Sequence, residues 1–219
     1  MVSILVSAKD GLETLTAPCI RSLIQTTRVP YELIGIDDGS RDGTYQFFLE
    51  NCHKAIRLPG IGCGASRNVG LLHANGDHIM FLDNDVVLDR PGWLRALLAD
   101  CGKRNVGIIG PVLTNERMKA SLPRSQDGLI DVDEIAGACM LFTRSTFDRL
   151  GMLDPAFSMR GEDTDYCFRA KLAGFRVCIS PRVLLYHKGG GTYDWSKETG
   201  QLRAFRRKYR NVRHILSVP

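Results

Sequence analysis

The chain has 219 residues, 44% of them hydrophobic and 24% charged, with a net charge of +5. This composition fits a globular domain and excludes collagenous or low-complexity sequence. No apolar run approaches the roughly eighteen residues a membrane span needs, and Met1–Ser7 lacks the basic and long apolar regions of a signal peptide. A cytoplasmic protein is therefore expected. The seven cysteines form no C-x-x-C pair, and read as reduced, mostly buried thiols, not a disulfide framework or a zinc site.

In chain order, Val2–Ser7 is a continuous apolar run of strand length, the pattern of a strand buried on both faces. Thr16–Thr26 predicts a helix capped by Thr16, with Pro18 in its first turn and Ile20, Leu23 and Ile24 on one face. Tyr31–Asp37 is a second strand, Thr44–Cys52 a helix, and Ala55–Leu58 a short third strand. A glycine-rich loop, Gly60–Gly64, precedes a helix over Ala65–Ala74 and a strand over His78–Leu82. Pro91 opens a helix to about Arg104 with Trp93, Leu94, Leu97 and Leu98 inward, followed by a strand at Val106–Gly110. Strands alternating with helices at this interval predict a mostly parallel α/β sheet. After Pro111 the rhythm changes. Residues 112–134 read as a polar loop or hairpin, Ala138–Thr143 as a strand, and Ser145–Leu150 and Glu162–Ala173 as helices. Two short strands, Val177–Ser180 and Val183–Tyr186, flank Pro181. Residues 1–110 are expected to form a nucleotide-binding half, 111–200 an acceptor half and 201–219 a basic amphipathic helix, all in one domain.

Ligands of open α/β sheets sit beyond the carboxyl ends of the strands. Two acidic clusters fall at strand ends, Asp37-Asp38 and Asp83-Asn84-Asp85, and a third, Glu162-Asp163-x-Asp165, opens a helix. Residues i and i+2 of an extended segment point to one side, so Asp83 and Asp85 can converge. A hard divalent cation, Mg2+ or Mn2+, removes the repulsion between two such carboxylates. Alone, the pattern fits a strand-ending turn equally well.

The wider pattern resembles family 2 inverting glycosyltransferases of the GT-A fold. The segments that carry the resemblance are Val2–Ser7, Ile36-Asp37-Asp38-Gly39-Ser40-x-Asp42-Gly43-Thr44, Ala65-Ser66-Arg67-Asn68-x-Gly70, Asp83-Asn84-Asp85 and Gly161-Glu162-Asp163-x-Asp165, in that order. The resemblance implies a nucleotide-diphosphate-sugar donor, more readily a uridine or thymidine one, and a glycan or lipid-linked acceptor. Asp38 would accept from N3–H of the base, because an ionised carboxylate only accepts. Ser7 and Lys9 would line the base and ribose pocket. Arg67 would face the phosphates or base, and Asp83, Asp85 and His187 would hold Mn2+ or Mg2+. Asp163 would be the general base that takes the acceptor proton. A helix start favours acids and so weakens a base placed there, which predicts support from Glu162 or Asp165.

Leu202, Phe205, Tyr209, Val212 and Leu216 form one helical stripe, with Arg203, Arg206, Arg207, Lys208, Arg210 and Arg213 on much of the remainder. Docking on the domain is the favoured reading of this stripe over peripheral contact with anionic membrane. Nothing else in the chain is basic enough for nucleic acid. Two rival readings of the whole chain are a sugar-1-phosphate nucleotidyltransferase and a non-catalytic nucleotide-sugar-binding module. The first needs a glycine-rich loop with a basic residue directly after strand one, and Ser7-Ala8-Lys9-Asp10-Gly11 is not such a loop.

Overall fold

The structure is a computed structural model that describes residues 1–114, 126–157, 161–189 and 207–209. Its strands are β1 (Val2–Ala8), β2 (Tyr31–Asp37), β3 (Lys54–Arg57), β4 (His78–Asp83), β5 (Val86–Val87), β6 (Val106–Thr114), β7 (Ile130–Asp131), β8 (Cys139–Thr143) and β9 (Arg176–His187). The helices are α1 (Ala17–Thr26), α2 (Thr44–Asn51), α3 (Cys63–His73), α4 (Trp93–Cys101), α5 (Arg144–Leu150) and α6 (Glu162–Leu172). All nine strands join one sheet in the order β3-β2-β1-β4-β8-β6-β9-β5, with β7 paired to β9.

The expected mostly parallel sheet is present, and β3, β2, β1 and β4 run parallel side by side. β8 is inserted antiparallel between β4 and β6. Its buried residues Cys139, Met140, Leu141 and Phe142 form a run without alternation, which specifies burial on both faces but not direction. Apolar side chains on the two faces pack under separate layers. Cys19, Ile20 and Leu23 of α1 and Trp93, Leu94 and Leu97 of α4 cover one face. Leu71 of α3 and Tyr166, Cys167 and Ala170 of α6 cover the other.

Several local expectations are corrected. Thr16 does not cap α1: its backbone is already helical, because Leu12–Thr16 forms a π-turn that runs into the helix. Its hydroxyl accepts instead from Asn84 Nδ2 at 2.9 Å. Ile24 faces solvent, and Cys19 takes its place in the buried stripe. The two strands around Pro181 are one, β9, accommodated by a register shift in which Pro111 faces Ser180 but Val112 faces Leu184. Proline cannot donate to a ladder and is found at such bulges. Part of the predicted loop after Pro111 continues β6 to Thr114. Of the 202–216 stripe, only residues 207–209 are described, and the rest of that expectation lies outside the described residues.

Candidate active site

The carboxyl ends of β1, β2 and β4 are aligned, with Ser7 beside Ile36 on one side and Asp83 on the other. Next to Ser7, the segments after β1 and β2 clasp each other. The amides of Asp10 and Leu12 donate to Ser40 Oγ and Asp42 Oδ2, both at 2.8 Å, and Arg41 N donates to Asp10 Oδ1 at 2.8 Å. Asp38 is nearly buried. Its two carboxylate oxygens accept from Ile61 N at 2.7 Å and Gly62 N at 2.9 Å, so it pins the glycine-rich loop and keeps one lone pair free on each oxygen. Lys9 reaches over Gly60 of that loop.

The second cluster depends on a short pairing far along the chain. β5 lies antiparallel to the end of β9, with Val86 opposite His187, and Lys188 N donates to Asp85 O at 3.1 Å. This register places His187 beside Asp83 and Asp85, and one ligand atom from each of the three lies within 4.8 Å of the others. His187 Nε2 is 3.1 Å from Asp85 Oδ1 and 3.9 Å from Asp83 Oδ2. Asp85 Oδ1 is buried with no hydrogen-bond donor aligned to it. A buried carboxylate oxygen that faces only an imidazole nitrogen and a second carboxylate is costly whenever that nitrogen carries no proton. Its oxygen-rich donor set suits a hard divalent cation, so the residues fit the metal that the resemblance implies. Asp85 above all pushes the His187 pKa above its usual value, with burial pulling the other way.

Arg67, expected to face the nucleotide, has its guanidinium buried within the protein. Nη1 donates to Glu162 Oε1 at 2.8 Å, and Nη2 donates to Asp83 Oδ1 at 2.7 Å and to Gly137 O at 3.0 Å. The group lies over the Phe81 ring, 5.2 Å from its centroid. α3 can approach α6 this closely because position 64 is glycine: a Cβ there would lie 2.9 Å from Phe157 O and 3.5 Å from Glu162 Cβ.

Asp163 stands at the start of α6, where Oδ2 accepts from Gly137 N and Oδ1 from Thr164 N, both at 2.8 Å. The carboxylate is thus held from two sides. Glu162, next to it, is buried, and burial pushes its carboxyl above the usual range against the pull of Arg67. Glu162 Oε2 has no hydrogen-bond donor.

Asp165 does not support Asp163. Two residues along a helix is a turn of about 200°, and Asp165, itself fully buried, points into a different network. It accepts from Arg169 Nε at 2.9 Å, Lys208 Nζ at 2.6 Å and Tyr209 OH at 2.5 Å. The Tyr209 ring packs on Phe168 with centroids 4.2 Å apart. Lys208 also donates to Asp154 at 2.6 Å. Lys208 and Tyr209 are docked at this point.

Sequence reasoning missed Gly137. Its N–H holds Asp163, its carbonyl holds Arg67, and a Cβ there would meet Arg67 Nη1 at 2.5 Å. The one available signal was the run of small residues Ala136-Gly137-Ala138 directly before a buried strand.

These features define a class: an α/β domain with carboxylates and a histidine gathered at the carboxyl edge of its sheet, beside a braced acid at a helix start. The pattern of the family described as "Glycosyl transferase family 2" matches residues 3–165, and the chain belongs to that family. Among curated relatives it is 25% identical over 220 residues to the O-antigen biosynthesis protein RfbC of Myxococcus xanthus, covering 85% of this chain and 17% of the relative. It is 27% identical over 188 residues to the pre-mycofactocin glycosyltransferase of Mycobacterium tuberculosis, covering 77% and 39%. The chain thus spans well under half the length of these relatives. Among solved structures, GalNAc-T7 with UDP, GalNAc and Mn2+ superposes with a TM-score of 0.79 at 16% identity, over 96% of this chain and 48% of that one. S. aureus TarS 1-349 with UDP-GlcNAc superposes at 0.70 with 18% identity, over 89% and 60%. The GT-A fold expected from the sequence is the fold observed. No helix among the described residues is long and apolar enough to cross a membrane.

Proposed function

We propose that the chain is a metal-dependent inverting glycosyltransferase that moves a sugar from a nucleotide-diphosphate donor to a hydroxyl of a glycan or lipid-linked acceptor. The observation that carries this reading is the convergence of Asp83, Asp85 and His187 at the carboxyl edge of the sheet, with one ligand atom from each within 4.8 Å of the others. Asp83, Asp85 and His187 would hold Mn2+ or Mg2+, which when bound would offset the charge of the diphosphate leaving group. Asp38 uses a remaining lone pair to accept N3–H of uracil or thymine, and Ser7 and Lys9 line the base and ribose pocket. Asp163 takes the proton of the attacking hydroxyl, held for that role by Gly137 N. Glu162 supports it as a neighbouring carboxylate. Structural neighbours solved with UDP and Mn2+ or with UDP-GlcNAc support this donor class, and the O-antigen relative supports a glycan acceptor.

Incubation with a panel of nucleotide-sugars and Mn2+, with nucleotide diphosphate release as the readout, tests the proposal. Release of pyrophosphate, or tight donor binding without product, would overturn it.

A further inference from the structure

The buried arginine of α3 has no place in the chemistry just described. Arg67 is 4% exposed and divides its guanidinium between Asp83 of the cation cluster and Glu162 of the helix that bears Asp163. Its third bond is to the carbonyl of Gly137, whose N–H holds Asp163 itself. Nη1 and Nη2 are therefore both committed within the protein. We infer that Arg67 is a positioning residue that couples cation loading at Asp83 to the placement of the Asp163 helix. The inference rests on the reading of Asp83, Asp85 and His187 as a cation site.

The coupling follows from one fixed charge shared by two carboxylates. Asp83 offers Oδ1 to Arg67 and Oδ2 toward His187, so Arg67 and a cation compete for the same negative group. A cation that draws on Asp83 leaves more of the guanidinium for Glu162, which has an unpartnered oxygen, Oε2, to offer it. Tightening that pair pulls the first turn of α6 toward α3, and Gly137 moves with Arg67. By linkage the effect is reciprocal: whatever loosens Arg67 from Glu162 must weaken the cation. Glu162 is no cation ligand in this reading, yet its charge sets how strongly Arg67 competes at Asp83.

The test is the Mn2+ dissociation constant measured by calorimetry on the folded protein, for the native sequence and Glu162→Gln. The expected result is Mn2+ binding weaker by about fivefold or more in E162Q, the lower range of site-to-site coupling, with unchanged circular dichroism. Equal affinity within twofold would overturn the inference. Losing the direct field of Glu162 would also weaken Mn2+, so E162Q is repeated in an Arg67→Met background, or in Arg67→Gln if R67M does not fold. Coupling through Arg67 predicts that the E162Q effect falls below twofold there. Persistence of the full effect would overturn the positioning role. Asp85→Asn is measured in parallel: if it leaves Mn2+ binding intact, the cation site itself fails, whereas its loss alongside an inert E162Q sinks only the coupling.

Discussion

Gly137→Ala is a single-methyl probe of the whole site. Gly137 is absent from the glycines with positive φ, so alanine brings no backbone strain and its effect comes from contact alone. The added Cβ would lie 2.5, 2.9 and 3.0 Å from Arg67 Nη1, Nη2 and Cζ, where ordinary contact begins at 3.4 Å. The guanidinium must withdraw by about 0.9 Å. Bonds of 2.7 to 3.0 Å to Asp83 and Gly137 O cannot stretch that far and remain hydrogen bonds. Losing one or two bonds to a charged group costs about 2 to 4 kcal/mol, or roughly 5–15 °C in Tm for a domain of this size. Gly137 N also holds Asp163, so any displacement of residue 137 reaches the base, where a misplacement of about 1 Å lowers turnover by roughly a hundredfold. Differential scanning fluorimetry and nucleotide diphosphate release on one preparation give both numbers. A Tm within about a degree of the native protein, with unchanged turnover, would refute the claim that Gly137 joins Arg67 to Asp163.

Three further outcomes are expected. Asp85→Asn removes a charge from the cation cluster, so stabilisation by uridine or thymidine diphosphate with Mn2+ should largely vanish in thermal-shift assays, while stabilisation by nucleotide alone changes little. Tyr209→Phe deletes a donor to the buried Asp165 carboxylate and should cost about 1–3 kcal/mol in urea unfolding. A variant as stable as the native chain would show that this hydroxyl adds nothing to the docking of residues 207–209. Asp154 is held below its ordinary pKa of 3.8, first by the Lys208 hydrogen bond and then by Ala156 N. A depressed carboxylate stabilises the fold above its unfolded pKa and loses that contribution as pH falls through the folded one. The stability gap between the native chain and Asp154→Asn should therefore be constant above about pH 5 and close as pH falls through the lowered pKa of Asp154, and a gap that persists in acid would count against the Lys208 contact.

Much of residues 1–110 was legible because each of their signals is local. Tyr31–Asp37 is bounded by Pro30 at one end and the Asp-Asp-Gly turn at the other, and its limits match the strand observed. Asp83 and Asp85 do converge, but not along one extended segment: Asp83 ends β4, and Asp85 lies in the turn that precedes β5. What was hidden depends on partners distant in sequence. The carboxylate that Arg67 meets at Glu162 lies 95 positions away, and no spacing rule reaches that far. Asp165 looks like part of an acidic motif until Lys208 and Tyr209, from the far end of the chain, fill its surroundings. Strand direction was invisible for a similar reason: burial on both faces fixes an apolar run but not which way β8 enters. The π-turn at Leu12–Thr16 escaped because its composition is that of an ordinary helix start.

The docking of Lys208 and Tyr209 also bears on how this domain can be divided or joined to others. A cut before residue 207 would leave the buried Asp165 carboxylate to Arg169 alone among the partners described. It would also remove the Tyr209 ring from Phe168, on the helix whose first turn carries Asp163. A boundary drawn at the end of the matched family region, residue 165, would fall inside α6 itself. Any shortened or fused form that is to keep the site intact must therefore retain the chain through Tyr209.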